Sequence, residues 1–89
     1  MIETTILVVN KLGLHARPSA QLVTIASRHK SEVFFTKDGL RVNGKSIMGV
    51  MMLAAEKGSQ LLVETDGPDE EAIMEELVKA IESGFGEEI

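Results

Sequence analysis

The spacing of apolar and polar residues divides the chain into seven segments. Residues 2–9 are rich in β-branched side chains and predict a strand. Asn10, Lys11, Leu12 and Gly13 read as a turn. Over residues 16–28 apolar side chains fall at Ala16, Ala20, Val23 and Ala26, widened by Leu22 and Ile25, which is helical spacing. Residues 32–36 alternate, with Val33 and Phe35 on one face and Phe34 on the other. Lys37-Asp38-Gly39 then predicts a hairpin turn, with residues 40–43 as its returning strand. Residues 47–55 predict a short, very apolar helix closed by Lys57-Gly58-Ser59, with Gly58 as the residue just past its end. Residues 60–65 predict a fourth strand, and residues 66–69 a turn that ends in a helix cap. Residues 70–83 predict a last helix that buries Ile73, Leu77, Ala80 and Ile81, with acidic residues at its start as the helix dipole favours.

The order is βαββαβα. The hairpin makes the sheet at least partly antiparallel, and such a sheet can leave one face open to water while helices cover the other. This predicts an α+β fold, an open-faced two-layer sandwich. With 89 residues one domain is expected, burying only about 60% of the surface that its unfolded chain exposes.

Composition removes several function classes. There is no cysteine, hence no disulfide and no thiolate metal site. The two histidines, His15 and His29, are far apart and sit in no zinc-ligand spacing, so no metal or cofactor is expected. Residues 1–5 are unlike the basic start of a signal peptide, and no apolar run approaches the ~18 residues of a membrane span. A soluble, cytoplasmic protein with no membrane contact is expected. Acidic residues outnumber basic ones 14 to 9, which argues against nucleic acid as a partner. The acidic excess lies between residues 64 and 88. Lys11, Arg17, Arg28, Lys30, Lys37, Arg41 and Lys45 make the first half locally basic, giving it an anion-facing end.

The stretch GLRVNGKS, residues 39–46, fits the phosphate-binding pattern G-x-x-x-x-G-K-[ST] at every fixed position. In that motif the four variable residues form a loop between a buried strand and a helix. Here they read as a hairpin strand, and the chain is too short for a parallel sheet with helical crossovers. Nucleotide binding is therefore not expected.

The stretch Gly13-Leu14-His15-Ala16-Arg17-Pro18 breaks a local rule. A helix begins there without Ser, Thr, Asp or Asn at its cap; His15 takes that position, and Pro18 sits in the first turn, where its missing N–H costs nothing. The first N–H groups of a helix point outward unpaired, and an anion is welcome at them. Neutral imidazole is a nucleophile, and a phosphoryl group on its ring would sit over those N–H groups. Arg17 can add a charge-assisted fork of donors. The alternative is a histidine that only caps its helix.

Together with Lys45-Ser46-Ile47-Met48-Gly49-Val50-Met51, at the observed separation, that stretch resembles the HPr family, over essentially the whole chain. These are the histidine-containing phosphocarriers of the bacterial phosphoenolpyruvate-dependent phosphotransferase system. The resemblance implies a four-stranded antiparallel sheet in the order 1-4-2-3, with three helices on one face. It implies that His15 accepts a phosphoryl group through Nδ1, that Arg17 stabilises it, and that Ser46 is a regulatory serine phosphorylated by a dedicated kinase. It implies a carrier and not an enzyme, moving phosphate from phospho-enzyme I to sugar-specific enzyme IIA domains as a monomer. HPr kinase/phosphorylase and a transcriptional regulator are the further partners implied. Ala16, Ala20, Ile47, Met48 and Met51 fall on the implied docking surface. The chain departs from many relatives at Thr24, where a basic residue is common near the enzyme I contact.

Other readings stand beside this one. The apolar helix at 47–55 either exposes Ile47, Met48 and Met51 for partners, with Val50, Leu53 and Ala54 inward, or is buried throughout. His29 reads as a surface residue near the end of the first helix. Phe34 and Leu62, with Leu7, form an apolar patch on the open sheet face, for cross-strand packing or weak self-association. A regulatory relative that acts by binding would have lost the histidine, and His15 is present. An enzyme using His15 as a general base would need an enclosed pocket and a partner carboxylate.

Overall fold

The hairpin that opens the sheet is dictated by two residues. In the computed structural model, which describes residues 1–89, Asp38 and Gly39 have φ of 49° and 83°. Positive φ at both central positions is what a two-residue turn between twisted strands requires, and Asp-Gly supplies it. The turn joins β2 (Glu32–Lys37) to β3 (Leu40–Asn43), with Lys37 opposite Leu40. The phosphate-loop pattern is thus a turn and a strand, and Gly39 and Gly44 stand at the two ends of that strand.

The other elements are β1 (Ile2–Leu7), α1 (Ala16–Ser27), α2 (Ile47–Met52), β4 (Gln60–Asp66) and α3 (Glu70–Glu82). β4 pairs with both β1 and β2, so the antiparallel sheet runs β1-β4-β2-β3 with the three helices on one face. Ile6, Val33, Phe35, Val42, Leu61 and Val63 point from the sheet into one continuous core, and meet Leu22, Ala26, Val50, Ile73, Leu77 and Ile81 from the helices. No helix is long and apolar enough to cross a membrane.

Several segments depart from the sequence expectation, each for a tertiary reason. β1 ends at Leu7, although Val8 still exchanges backbone hydrogen bonds with the Gly58–Ser59 turn. α1 buries Pro18, Ser19, Leu22 and Ala26 and leaves Ala16 exposed and Ala20 half-buried. Ser19 is accommodated inside because its hydroxyl donates to the Leu14 carbonyl. α3 buries Met74 in place of Ala80.

α2 stops at Met52, three residues early. Leu53 and Ala55 are buried, and the Ala55 carbonyl accepts from Leu14 N–H at 2.8 Å, so the chain must leave the helix to pass beneath the 13–14 loop. Ala54, at φ 47°, is the left-handed residue that ends the helix, a role expected of Gly58; it faces solvent, not the core. Lys37 Nζ donates to the Leu53 and Ala54 carbonyls left over at that end.

Asp69 precedes α3 but does not cap it with its side chain. Its carboxylate instead accepts from the Ser31 hydroxyl and from the backbone N–H groups of Lys30 and Ser31. These bonds, the Ser31 hydroxyl foremost, with a further one from His29, hold its carboxyl well below the usual aspartate range, against a partial desolvation that acts the other way. A depressed carboxyl contributes stability that is full above its unfolded value, about 4, and is lost as pH falls toward the folded one. Asp69→Asn should therefore lower the melting temperature at neutral pH, with the gap to wild type closing as pH drops below about 4. Parallel melting curves across that range would contradict the assignment.

GLRVNGKS as a hairpin leads to a second test. Calorimetric titration with ATP should show no saturable binding at micromolar concentration; saturation that depends on Lys45 would overturn it.

Candidate functional site

His15 stands at the N-cap of α1 with extended backbone, and its side chain makes no capping bond. The helix starts there because Pro18 suits its first turn and because Gly13 folds the chain back against the 55–56 segment. Gly13 has φ 65°, and a Cβ on it would lie 2.3 Å from the Ala55 carbonyl oxygen, so only glycine fits. The N–H groups of Ala16 and Arg17 have no acceptor in the protein; the first paired one in α1 is Ser19, which donates to His15 O. Arg17 is exposed and makes no salt bridge. The residues that follow His15 at the helix start thus carry two unpaired N–H groups and one unpaired guanidinium, a set of donors that suits an anion.

The imidazole has a partner that sequence reading missed. Nε2 of His15 lies 2.9 Å from both carboxylate oxygens of Glu87, and Nδ1 has no partner. Glu87 Oε1 also accepts from Asn10 Nδ2 at 3.0 Å, and the same amide donates to the Gly13 carbonyl at 2.8 Å. The hydrogen bond with His15 is the main cause that holds the Glu87 carboxyl below the usual glutamate range; partial burial opposes it, and Asn10 and the charge of Arg17 reinforce it.

The other histidine is differently placed. His29 is not a free surface residue: Nδ1 lies 3.1 Å from Asp69 Oδ2, and Nε2 contacts Glu76 on α3. Both of its ring nitrogens are engaged, whereas His15 has one open to attack.

Ser46 caps α2, its hydroxyl accepting from Gly49 N–H at 3.1 Å. Val50 is buried, and Ile47, Met48 and Met51 are exposed, Met48 by 76%, with Met52 exposed as well. The helix is therefore not buried throughout. Ala16 is exposed beside His15, and Ala20 lies with Arg17, Gln21, Thr24, Ile25 and Arg28 along a shallow groove on α1. Thr24, which is exposed, is one of the residues that line it. The carboxylate that the enzyme reading requires is present in Glu87, and a small cavity is lined by Lys11, Leu12, Glu87 and Glu88. On the open sheet face the Arg41 guanidinium covers Phe34 at 3.8 Å and pairs with Glu64, while Leu62 is half-buried. Phe34 is thus covered by cross-strand packing, while Leu7 of the same patch stays half-exposed.

A family model described as "PTS HPr component phosphorylation site" matches residues 2–83. The phosphocarrier protein HPr of Neisseria meningitidis serogroup A is 54% identical over 87 residues, covering 98% of each chain. The crystal structure of HPr-C-His from Thermoanaerobacter tengcongensis matches with a TM-score of 0.95 and 47% identity over 100% of both chains. The HPr dimer of that organism matches with a TM-score of 0.78 and 47% identity, over 98% of this chain and 100% of that one. The Neisseria relative is named a phosphocarrier protein. Fold, motif and relatives converge: the chain belongs to the HPr family of phosphocarriers of the phosphotransferase system.

Proposed function

We propose that this protein takes a phosphoryl group from phospho-enzyme I onto His15 and passes it to enzyme IIA domains, working in the cytoplasm as a monomer. The observation that carries the reading is the free Nδ1 of His15 beside unpaired N–H groups of Ala16 and Arg17. A phosphoryl group on Nδ1 meets those donors, and Arg17 supplies a fork to its oxygens. Arg17→Ala should slow uptake of phosphate about tenfold or more, the loss of one charge-assisted contact, with an unchanged melting temperature. The reading is tested by labelling from phosphoenolpyruvate through enzyme I, the label being lost in mild acid.

The exposed faces of α1 and α2 are the proposed docking surface: Ala16 and Ala20 on one, Ile47, Met48 and Met51 on the other. Sedimentation at micromolar concentration should show a monomer; a dimer such as the T. tengcongensis HPr dimer would revise this.

Ser46 is the proposed regulatory site, served by a kinase of the HPr kinase/phosphorylase type and read by a transcriptional regulator. A phosphate there adds about −1.5 to −2 charge at a helix start, where the dipole favours it. It also stands beside Ile47, Met48 and Met51 and must be desolvated when they dock. Ser46→Asp should melt at or slightly above the wild-type temperature and be phosphorylated by enzyme I about tenfold more slowly. Equal labelling rates with a large loss of stability would leave Ser46 as a structural cap alone.

A further inference from the structure

The family match ends at residue 83, and the chain beyond it is built into the site. Gly84, Phe85 and Gly86 are three successive residues at positive φ, 67°, 58° and 73°. They turn the backbone sharply out of α3. Phe85 is buried against the core at 5% exposure, although a bulky residue rarely adopts this conformation. Its burial anchors the turn. Glu87 N–H donates to the Gly84 carbonyl, and Lys11 N–H donates to the Glu88 carbonyl at 2.7 Å. The segment 84–88 is thus a strap, pinned at both ends, that crosses the loop before His15.

We propose that this strap delivers Glu87 as a positioning residue for phosphoryl transfer, which holds the His15 proton on Nε2 and leaves Nδ1 as the nucleophile. The proposal rests on the carrier reading of His15.

An ionised carboxylate only accepts hydrogen bonds, and both its oxygens are 2.9 Å from Nε2. Nε2 must therefore carry the proton, and the lone pair of the neutral ring is on Nδ1. Asn10 cannot act in place of the ring: its NH2 group faces two acceptors, Gly13 O and Glu87 Oε1, which orients the amide and locks the carboxylate to the His15 loop. The Glu87 side chain is only 13% exposed, so water competes weakly for it.

The same contact serves the transfer step. The Nδ1 lone pair forms the bond to phosphorus. The bond from phosphorus to the donor's leaving atom breaks, and its electron pair stays with the donor. Nε2 keeps its proton throughout, so the ring gains a formal positive charge, and that charge faces the Glu87 carboxylate. Passing the phosphoryl group on reverses each change. This is the role of a carboxylate behind an imidazole in nucleophilic sites generally.

Two measurements separate this from a strap that only anchors the tail. In the unphosphorylated protein, nitrogen-15 NMR of the His15 ring should show the proton on Nε2, Nδ1 bare, and a slowly exchanging ring N–H. Glu87→Ala should lose that resonance to exchange. Glu87→Gln, whose amide oxygen still accepts, should keep it. A proton on Nδ1 in wild type, or identical ring spectra in wild type and Glu87→Ala, would overturn the proposal. In single-turnover labelling Glu87→Ala should be slower by about tenfold or more, with Glu87→Gln in between. Wild-type rates in Glu87→Ala, at an unchanged melting temperature, would also overturn it. The ring spectrum needs no phosphate donor. If wild type shows the Nε2 proton yet takes up no label, it is the carrier reading that has failed.

Discussion

His15→Ala should abolish phosphate uptake from enzyme I and leave the fold intact. The side chain is not part of the core, makes no capping bond to its helix, and loses only its contact with Glu87 on truncation. The cost in stability should stay within about 1 to 2 kcal/mol, since the removed bond leaves a partly buried carboxylate that Asn10 still serves. The loss of function should be complete, because no second acceptor is available: both nitrogens of His29 are held by carboxylates of Asp69 and Glu76. Persistent acid-labile labelling of the variant would move the site elsewhere.

Gly13→Ala should have the largest effect on stability among changes near the site. The position has φ 65°, which costs an L-residue about 1–2 kcal/mol. The new Cβ also meets backbone, at 2.3 Å from Ala55 O and 2.9 Å from Glu56 Cα, so it cannot be relieved by a side-chain rotation. Relief means separating the 13–14 loop from Ala55, whose carbonyl holds Leu14 N–H. We expect a loss of about 2–4 kcal/mol from strain and overpacking together, read from denaturant unfolding. The loop also carries the Asn10 contact and His15, so phosphate uptake should slow in the same variant. A stability loss under 0.5 kcal/mol, the scale of an ordinary surface change, would show that the loop shifts freely.

What was legible in the sequence was whatever a local rule governs. Asp38-Gly39 announced the hairpin because two adjacent positive φ angles are needed and few residue pairs accept them. His15 stood out because it occupied a cap position where another residue type belongs. Ser46 was readable as a cap for the opposite reason: serine is a residue type that belongs at that position. Contacts between distant segments left no such mark. Glu87 is 72 residues from His15, and it arrives through a turn in which Phe85 takes a left-handed conformation that its residue type does not predict. The early end of α2 follows from what Leu53 and Ala55 touch, not from their apolar character, which argued for a longer helix. Asp69 looked like a cap and instead ties down Ser31, because side-chain oxygens near a helix start serve whichever unpaired N–H is nearest. His29 looked exposed because the carboxylates facing it, Asp69 just before α3 and Glu76 within it, lie 40 and 47 residues further on.

The carrier account itself is tested most directly by the intact mass of the wild-type protein after incubation with phosphoenolpyruvate and enzyme I. The account predicts a gain of one phosphoryl group, lost in mild acid, carried by His15 and absent from His15→Ala. No gain in mass, or a gain that survives acid or sits on another residue, would contradict it.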